Sequence, residues 1–247
     1  MGYRVSLAAP AYNEGEGIAD VVAVWDGYLA KNARLDDYEI VVCNDGSKDK
    51  TGAILDELVS RFPKLKPVHF TVNQGAAAAL TNAIANTTMD WVLLIDSDGQ
   101  FPIENLDRAL DAVEQQAARA VIGIRAKKQD SLFARFGTWS SAVICNVMFG
   151  VKLKDFNSAF KLIQGSLVRA LVLEAKGLNY STEVTAKVLE RQVPFVEIDI
   201  SHRAREKGQS SMKLFRGAAH RLLFVIYLGL RQILFRFSIL QRPKNGI

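Results

Sequence analysis

Asp96 and Asp98 stand two residues apart in Asp96-Ser97-Asp98-Gly99-Gln100, directly after the apolar run Trp91-Val92-Leu93-Leu94-Ile95. In extended chain, side-chain direction repeats every second residue, so the two carboxylates point the same way. Their oxygens can converge on one hard divalent cation, with the Gln100 amide oxygen as a neutral third ligand. Mg²⁺ and Mn²⁺ are held by few protein oxygens in this manner when they also grip a substrate diphosphate. Asp98-Gly99 is also a turn dipeptide, and taken alone the pair leaves a solvated acidic turn open as the alternative.

The elements around the pair decide where it sits. Consecutive apolar residues before Asp96 suit a strand buried on both faces of a parallel sheet. The carboxyl end of such a strand is where open α/β sheets bind ligands. Strand and helix alternate from the start of the chain. Strands are expected from Val5 to Ala9, Glu39 to Cys43, Lys66 to Val72, across Trp91 to Ile95, and from Ala120 to Ile124. Helices are expected from Gly17 to Ala30, Thr51 to about Arg61, Gly75 to Asn86, and after Pro102. That order predicts a mainly parallel, doubly wound α/β sheet flanked by helices. No Pro/Ser-rich linker or repeat marks a second domain, so residues 1–211 read as one domain and 212–247 as a C-terminal appendage.

Composition agrees with one large core: 247 residues, 49% hydrophobic and 23% charged. The net charge of +5 is modest, but basic residues predominate from Arg119 onward, which points to an anionic partner for the second half. No nucleic-acid module signature is present, so nucleic acid is not expected as that partner. Cys43 and Cys145 read as small core residues rather than a disulfide or metal pair. No basic-apolar-small leader precedes Tyr3-Arg4-Val5, so a cytoplasmic location is expected.

Several corners could meet a nucleotide. Gly15-Glu16-Gly17-Ile18-Ala19-Asp20 is a broken dinucleotide fingerprint, and no G-x-x-x-x-G-K-[ST] loop occurs. Pro10-Ala11-Tyr12-Asn13-Glu14 after the first strand and Asn44-Asp45-Gly46-Ser47 after the second would open on the same edge as Asp96 and Asp98. Asp45 can accept from a base N–H or a ribose hydroxyl, and Tyr12 offers a flat face for stacking. Each corner alone is better explained as turn chemistry.

Taken together with Asn73-Gln74-Gly75 and Asp96-Ser97-Asp98-Gly99-Gln100-Phe101-Pro102, these segments resemble the family-2 glycosyltransferases, above all the polyprenyl- and dolichyl-phosphate sugar synthases, across about residues 4 to 213. The resemblance implies a GT-A fold, a nucleoside-diphosphate sugar donor, a divalent metal and inversion at the anomeric carbon. It assigns Pro10, Tyr12, Glu14 and Asp45 to the nucleoside, with Gly75 and Ser97 on the same donor side. It makes Asp96 and Asp98 the metal and diphosphate pair, completed by Gln100.

The second half is similar to the acceptor side of these synthases. Gly123-Ile124-Arg125 resembles their G-S-R corner with Ile for Ser, and Arg135 follows it. Asp155-Phe156-Asn157-Ser158-Ala159-Phe160-Lys161 resembles D-x-x-S-G-F, with Ala159 for Gly and Lys161 where Arg is common. The segment from His202 to Ser211 resembles H-x-x-R-x-x-G-x-S-K, with Ser211 at the usual Lys and Lys213 two residues later. Arg205, Ser210 and Lys213 offer a fork, a hydroxyl and a point charge to one phosphate.

Leu214 to Leu240 is rich in Leu, Phe, Ile and Val but is interrupted by Arg216, His220, Arg221, Arg231 and Arg236. Its longest apolar run, Leu222 to Leu230, is far shorter than the roughly 18–20 residues of a membrane span. At about 100° per residue, Lys213, Arg216, His220, Arg221 and Arg231 share one arc, which predicts an amphipathic helix in the plane of an anionic membrane surface. A core or homo-oligomer interface helix is the alternative.

The expected reaction is therefore transfer of a sugar from a nucleoside diphosphate to a polyprenyl phosphate at the inner membrane face. The acceptor phosphate, already anionic, needs positioning by Arg125, Arg135 and Arg205 more than deprotonation, and Asp155 is the one candidate base. A saccharide acceptor and a non-catalytic sugar-nucleotide-binding protein are the other readings. A nucleotidyltransferase would need a glycine-rich basic loop after the first strand, which Ala11-Tyr12-Asn13-Glu14 is not.

Overall fold

The computed structural model describes residues 2–125, 143, 145–175, 180–203, 216–237 and 239–240. The largely apolar stretch near the start, broken by Arg4 and Ser6, forms β1 (Tyr3–Ala11), which lies in mid-sheet, parallel to β2 (Leu35–Asn44) on one side and to β4 (Trp91–Leu94) on the other. β3 (Leu65–His69) extends the sheet in parallel beyond β2. Helices α1 (Ile18–Leu29), α2 (Thr51–Leu58) and α4 (Asn105–Gln116) cover one face, where Val5, Leu7 and Ala9 meet Ile18, Trp25 and Leu55. On the other face Ala8, Val41 and Val92 meet α3 (Ala76–Ala85), α5 (Gly165–Arg169) and α6 (Tyr180–Glu190) through Leu80, Leu167 and Val184. Opposite faces of one strand thus enter two separate cores, which explains why its apolar residues run consecutively rather than alternate.

Two strands lie beyond the sequence reading. β6 (Lys161–Gln164) runs antiparallel between β4 and β5 (Ala120–Arg125), and β7 (Phe195–Ile200) pairs in parallel with β5. The sheet order is β3-β2-β1-β4-β6-β5-β7, mainly parallel as expected. β6 is only four residues long and begins on a lysine, so it carries little periodic signal. Its reversal matters for the site, because Lys161 pairs with Leu94 and so brings the turn before it to the carboxyl end of β4. Pro102 does not open α4 itself. It opens the preceding turn, where its carbonyl accepts from the Asn105 backbone and side-chain amides at 3.2 and 2.9 Å.

The C-terminal helix α7 (Arg216–Arg236) packs Val225 and Leu228 against Cys145, Phe149, Phe156 and Leu189. Gly229 lies against Met148, whose Sδ would come within 2.5 Å of an added Cβ. No helix among the described residues is long and apolar enough to cross a membrane. Cys43 and Cys145 are free and buried in different clusters.

Candidate active site

The carboxyl ends of β1, β2, β4, β5 and β7 and the start of β6 meet along one edge, and the chain stitches its corners together there. After β1, Asn13 takes a positive φ of 55° and exchanges hydrogen bonds with the β2 corner: its N–H donates to Ser47 Oγ, and its Oδ1 accepts from Lys48 N at 2.9 Å. The Glu14 N–H donates to Thr51 Oγ1 at 2.8 Å, and the Gly15 N–H to Asp49 Oδ2 at 2.9 Å. Pro10 and Tyr12 flank this corner, both half-buried. Ser97 is buried and donates its hydroxyl to Pro10 O at 2.8 Å, so it ties the β4 corner to the β1 corner.

Asp45 has a different surrounding from the one its sequence suggests. Its carboxylate is buried and accepts from Asn73 Nδ2 (2.8 Å), Gln74 N (2.7 Å) and Gly75 N (2.9 Å). Three donors occupy most of the lone pairs of a carboxylate. The structure thus makes Asp45 the anchor of the Asn73-Gln74-Gly75 corner, with Gly75 at φ 95° ahead of α3. Gly46 beside it has φ 61°, and a Cβ there would come within 2.4 Å of the Val72 carbonyl carbon, so only glycine fits this turn. Asp45→Ala should lower stability by about 1 kcal/mol, the low end for lost acceptors, since Asn73 and Gln74 are exposed and can turn to water. Urea unfolding checks this; an unchanged midpoint would remove the anchor.

Asp96 and Asp98 emerge half-buried from the end of β4. Burial, followed by the charge of Asp98, pushes the Asp96 carboxyl up to about 6, against the opposing pull of Tyr180, Lys161 and Arg125. Two like charges held at a desolvated strand end are what a divalent cation relieves. Asp98 Oδ1 accepts from Gln100 N at 3.0 Å. The Gln100 amide nitrogen donates to Arg203 O at 3.3 Å, which leaves its amide oxygen for a cation. Among the described residues no group of three His, Cys, Asp or Glu forms a protein-only cage. Two carboxylates and an amide suit Mg²⁺ or Mn²⁺ completed by diphosphate and water. The Arg203 N–H also donates to Gln100 O at 2.8 Å, and the His202 ring meets Phe101 edge-on at 4.9 Å. The basic segment that continues past β7 therefore begins against the acidic run.

The second half of the chain contributes an ion pair. Arg125, at the end of β5, donates through Nε and one terminal nitrogen to Asp155 at 2.8 and 3.2 Å. Asp155 is buried and also accepts from Asn157 N at 3.0 Å. A carboxylate gripped by a fork of this kind is poorly placed to collect a proton. Lys161, likewise buried, donates to Ser158 O and to Ser181 Oγ, the latter at 2.7 Å. Burial pushes its ammonium down to about 7 against the pull of Asp155 and Asp96. Arg135, Arg205, Ser210 and Lys213 lie outside the described residues. Two residues absent from the sequence-derived set also belong here: Lys161, and Tyr180, whose hydroxyl donates to Asp96 Oδ1. Lys161 closes the Asp155-to-Lys161 motif, whereas nothing in the sequence links Tyr180 to β4.

The model of glycosyl transferase family 2 matches residues 6–169. Among curated proteins, the chain is similar to the undecaprenyl-phosphate 4-deoxy-4-formamido-L-arabinose transferase of Edwardsiella ictaluri, with 27% identity over 214 residues that cover 86% of this chain and 64% of that protein. It thus spans a little under two thirds of the length of that relative. It is also similar to the undecaprenyl-phosphate mannosyltransferase of Micrococcus luteus, 25% identical over 220 residues covering 85% of this chain and 87% of that protein. Among solved structures it resembles glucosyl-3-phosphoglycerate synthase from Mycobacterium tuberculosis in complex with phosphoglyceric acid, with a TM-score of 0.72, 16% identity, and coverage of 92% of this chain and 80% of that chain. The same enzyme in complex with Mn²⁺, uridine-diphosphate-glucose and phosphoglyceric acid gives a TM-score of 0.69 at 17% identity, covering 94% and 80%. Identities this low show likeness of fold alone.

Proposed function

Given that the chain belongs to glycosyl transferase family 2 and has the GT-A fold, we propose that it transfers a sugar from a nucleoside diphosphate to a polyprenyl phosphate, with inversion and with Mg²⁺ or Mn²⁺ at Asp96, Asp98 and Gln100. The observation that carries this reading is the meeting, on one sheet edge, of the Asp96/Asp98 pair just past β4 with the ion pair of Arg125, at the end of β5, and Asp155, ahead of β6. A donor diphosphate and an anionic acceptor need those two kinds of site side by side. The names of the undecaprenyl-phosphate relatives support the acceptor class, and the Mn²⁺ and sugar nucleotide bound by the mycobacterial synthase support the donor chemistry.

In this reading Tyr12 and the corner held by Asp45 receive the nucleoside, with Pro10, Glu14, Gly75 and Ser97 shaping its walls. A bound Mg²⁺ or Mn²⁺ would stabilise the charge that develops on the departing diphosphate. Arg125, joined by Arg135, Arg205, Ser210 and Lys213, holds the acceptor phosphate in line with the anomeric carbon. Orientation of this kind supplies much of the rate when the nucleophile is already ionised. Asp155 fixes the Arg125 guanidinium rather than taking a proton. Incubation with radiolabelled sugar nucleotides and polyprenyl phosphate, with and without Mn²⁺, tests the whole: metal-dependent label in the lipid supports it. Label in an added oligosaccharide instead, or nucleotide binding without transfer, would replace it with the saccharide or binding-protein reading.

We further propose residues 212–247 as a peripheral membrane tail, held in large part by an exposed apolar stripe. Arg231, expected among the lipid-facing arginines, is engaged by Glu190 at 2.7 Å and Glu174 at 2.8 Å. Leu223, Tyr227 and Leu230 instead form an exposed stripe along α7, continued by Phe237 (72% exposed) and Ile239 (67%). The protein should pellet with anionic liposomes and keep most of that binding at high salt, because burial of apolar side chains is not screened. Leu223→Ser with Phe237→Ser should release it. Indifference to liposomes in the parent protein would end the membrane assignment and favour an oligomer interface.

A further inference from the structure

Tyr180 opens α6 and is buried, and its hydroxyl donates to Asp96 Oδ1. A carboxylate turns freely about its last side-chain bond, so occupying one oxygen fixes its plane and commits the other. The opening turn of α6 is itself fastened to the Asp155–Lys161 segment. Ser181 Oγ accepts from Lys161 Nζ at 2.7 Å and donates to Ser158 O, Thr182 donates to Asn157 Oδ1, and Thr185 donates to Phe156 O at 3.2 Å. In the same turn, Glu183 accepts from the backbone of Glu174 and Ala175, both at 2.7 Å. A phenol carried on so constrained a helix cannot follow Asp96 if that carboxylate swings.

We propose that Tyr180 is a positioning residue for the donor site: it holds Asp96 with one oxygen occupied and the other turned toward Asp98, so that cation and diphosphate meet a preset pair. Without that hold, two neighbouring carboxylates separate by mutual repulsion, and their convergence must be restored at each binding event. Partners of metal-binding side chains typically account for about 10- to 100-fold in metal affinity or activity. The inference rests on the metal reading of Asp96 and Asp98, and its test separates the two.

Calorimetric titration with UDP and, in parallel, GDP, each with and without Mn²⁺, measures how much the metal tightens nucleotide binding. Tyr180→Phe, which removes one oxygen and keeps the buried ring, should reduce that Mn²⁺-dependent gain about 10-fold. Metal-free affinity and the unfolding midpoint should stay near the parent values. In an Asp96→Asn background, the same substitution should add little, because Tyr180 acts through Asp96. An undiminished gain in Tyr180→Phe, or an equal loss with and without metal, overturns the inference while the metal site stands. A parent protein whose binding of either nucleotide ignores Mn²⁺ overturns the metal reading and the inference with it.

Discussion

Asp98→Asn should lower the transfer rate by about 10²-fold or more while the protein stays folded, and Asp96→Asn should do the same. The two substitutions are nearly isosteric, and the hydrogen bonds from Gln100 N and from the Tyr180 hydroxyl survive them. Asp98 Oδ1 accepts from Gln100 N, and Asp96 Oδ1 accepts from Tyr180, roles that an amide oxygen also fills. What an amide cannot supply is negative charge toward a cation and, through it, toward the departing diphosphate. For Asp96, burial and the adjacent Asp98 already push the carboxyl up to about 6, so an amide at either position relieves that repulsion and offsets the attraction to Lys161 and Arg125 that it gives up. The measurement is labelled lipid formed per minute at saturating Mn²⁺, with circular dichroism as the control for folding. Activity within a few-fold of the parent would remove the metal reading, and with it the mechanistic role of Gln100.

The parts of this site that the sequence discloses are those carried by local patterns. Consecutive apolar residues mark β1, β2 and β4 because those strands are buried on both faces, and the acidic run stands where β4 ends. Spacing in the chain then brings Asp45, Asp96 and Asp98 to one edge without any knowledge of packing. Contacts fixed by tertiary structure stay hidden. Tyr180 lies 84 residues from Asp96 and reaches it only because β6 runs backwards between β4 and β5. Arg231 reads as a lipid-facing charge until Glu190 and Glu174, 41 and 57 residues away, are brought to it. Asp45 reads as a free acceptor because nothing local announces that the Asn73 side chain and the Gln74 and Gly75 backbone will consume it. In each case the residue type was chemically informative, and its partner was decided by the fold.

The Arg125–Asp155 pair yields the largest expected effect on stability. Asp155→Ala should cost about 3–5 kcal/mol, the usual penalty for removing one member of a buried ion pair, because Arg125 loses its bidentate partner and Asn157 N loses its acceptor. Lys161 lies in the same region, so the deletion also removes a negative charge that offsets two cations. Asp155→Asn decides between the two roles open to this carboxylate. The amide oxygen still accepts one hydrogen bond from Arg125, but the charge and the second bond are gone. If Asp155 only orients Arg125, the variant should be measurably less stable, should bind polyprenyl phosphate more weakly, and should keep the parent's pH profile. If Asp155 is the general base, kcat should collapse with little change in acceptor KM, and the acidic limb of the pH–rate profile should vanish. The first outcome follows from the geometry, since a carboxylate sharing both oxygens with a guanidinium is stabilised as the anion and holds a proton poorly. The second would mean that acceptor binding draws Arg125 away and frees Asp155 at the moment of transfer.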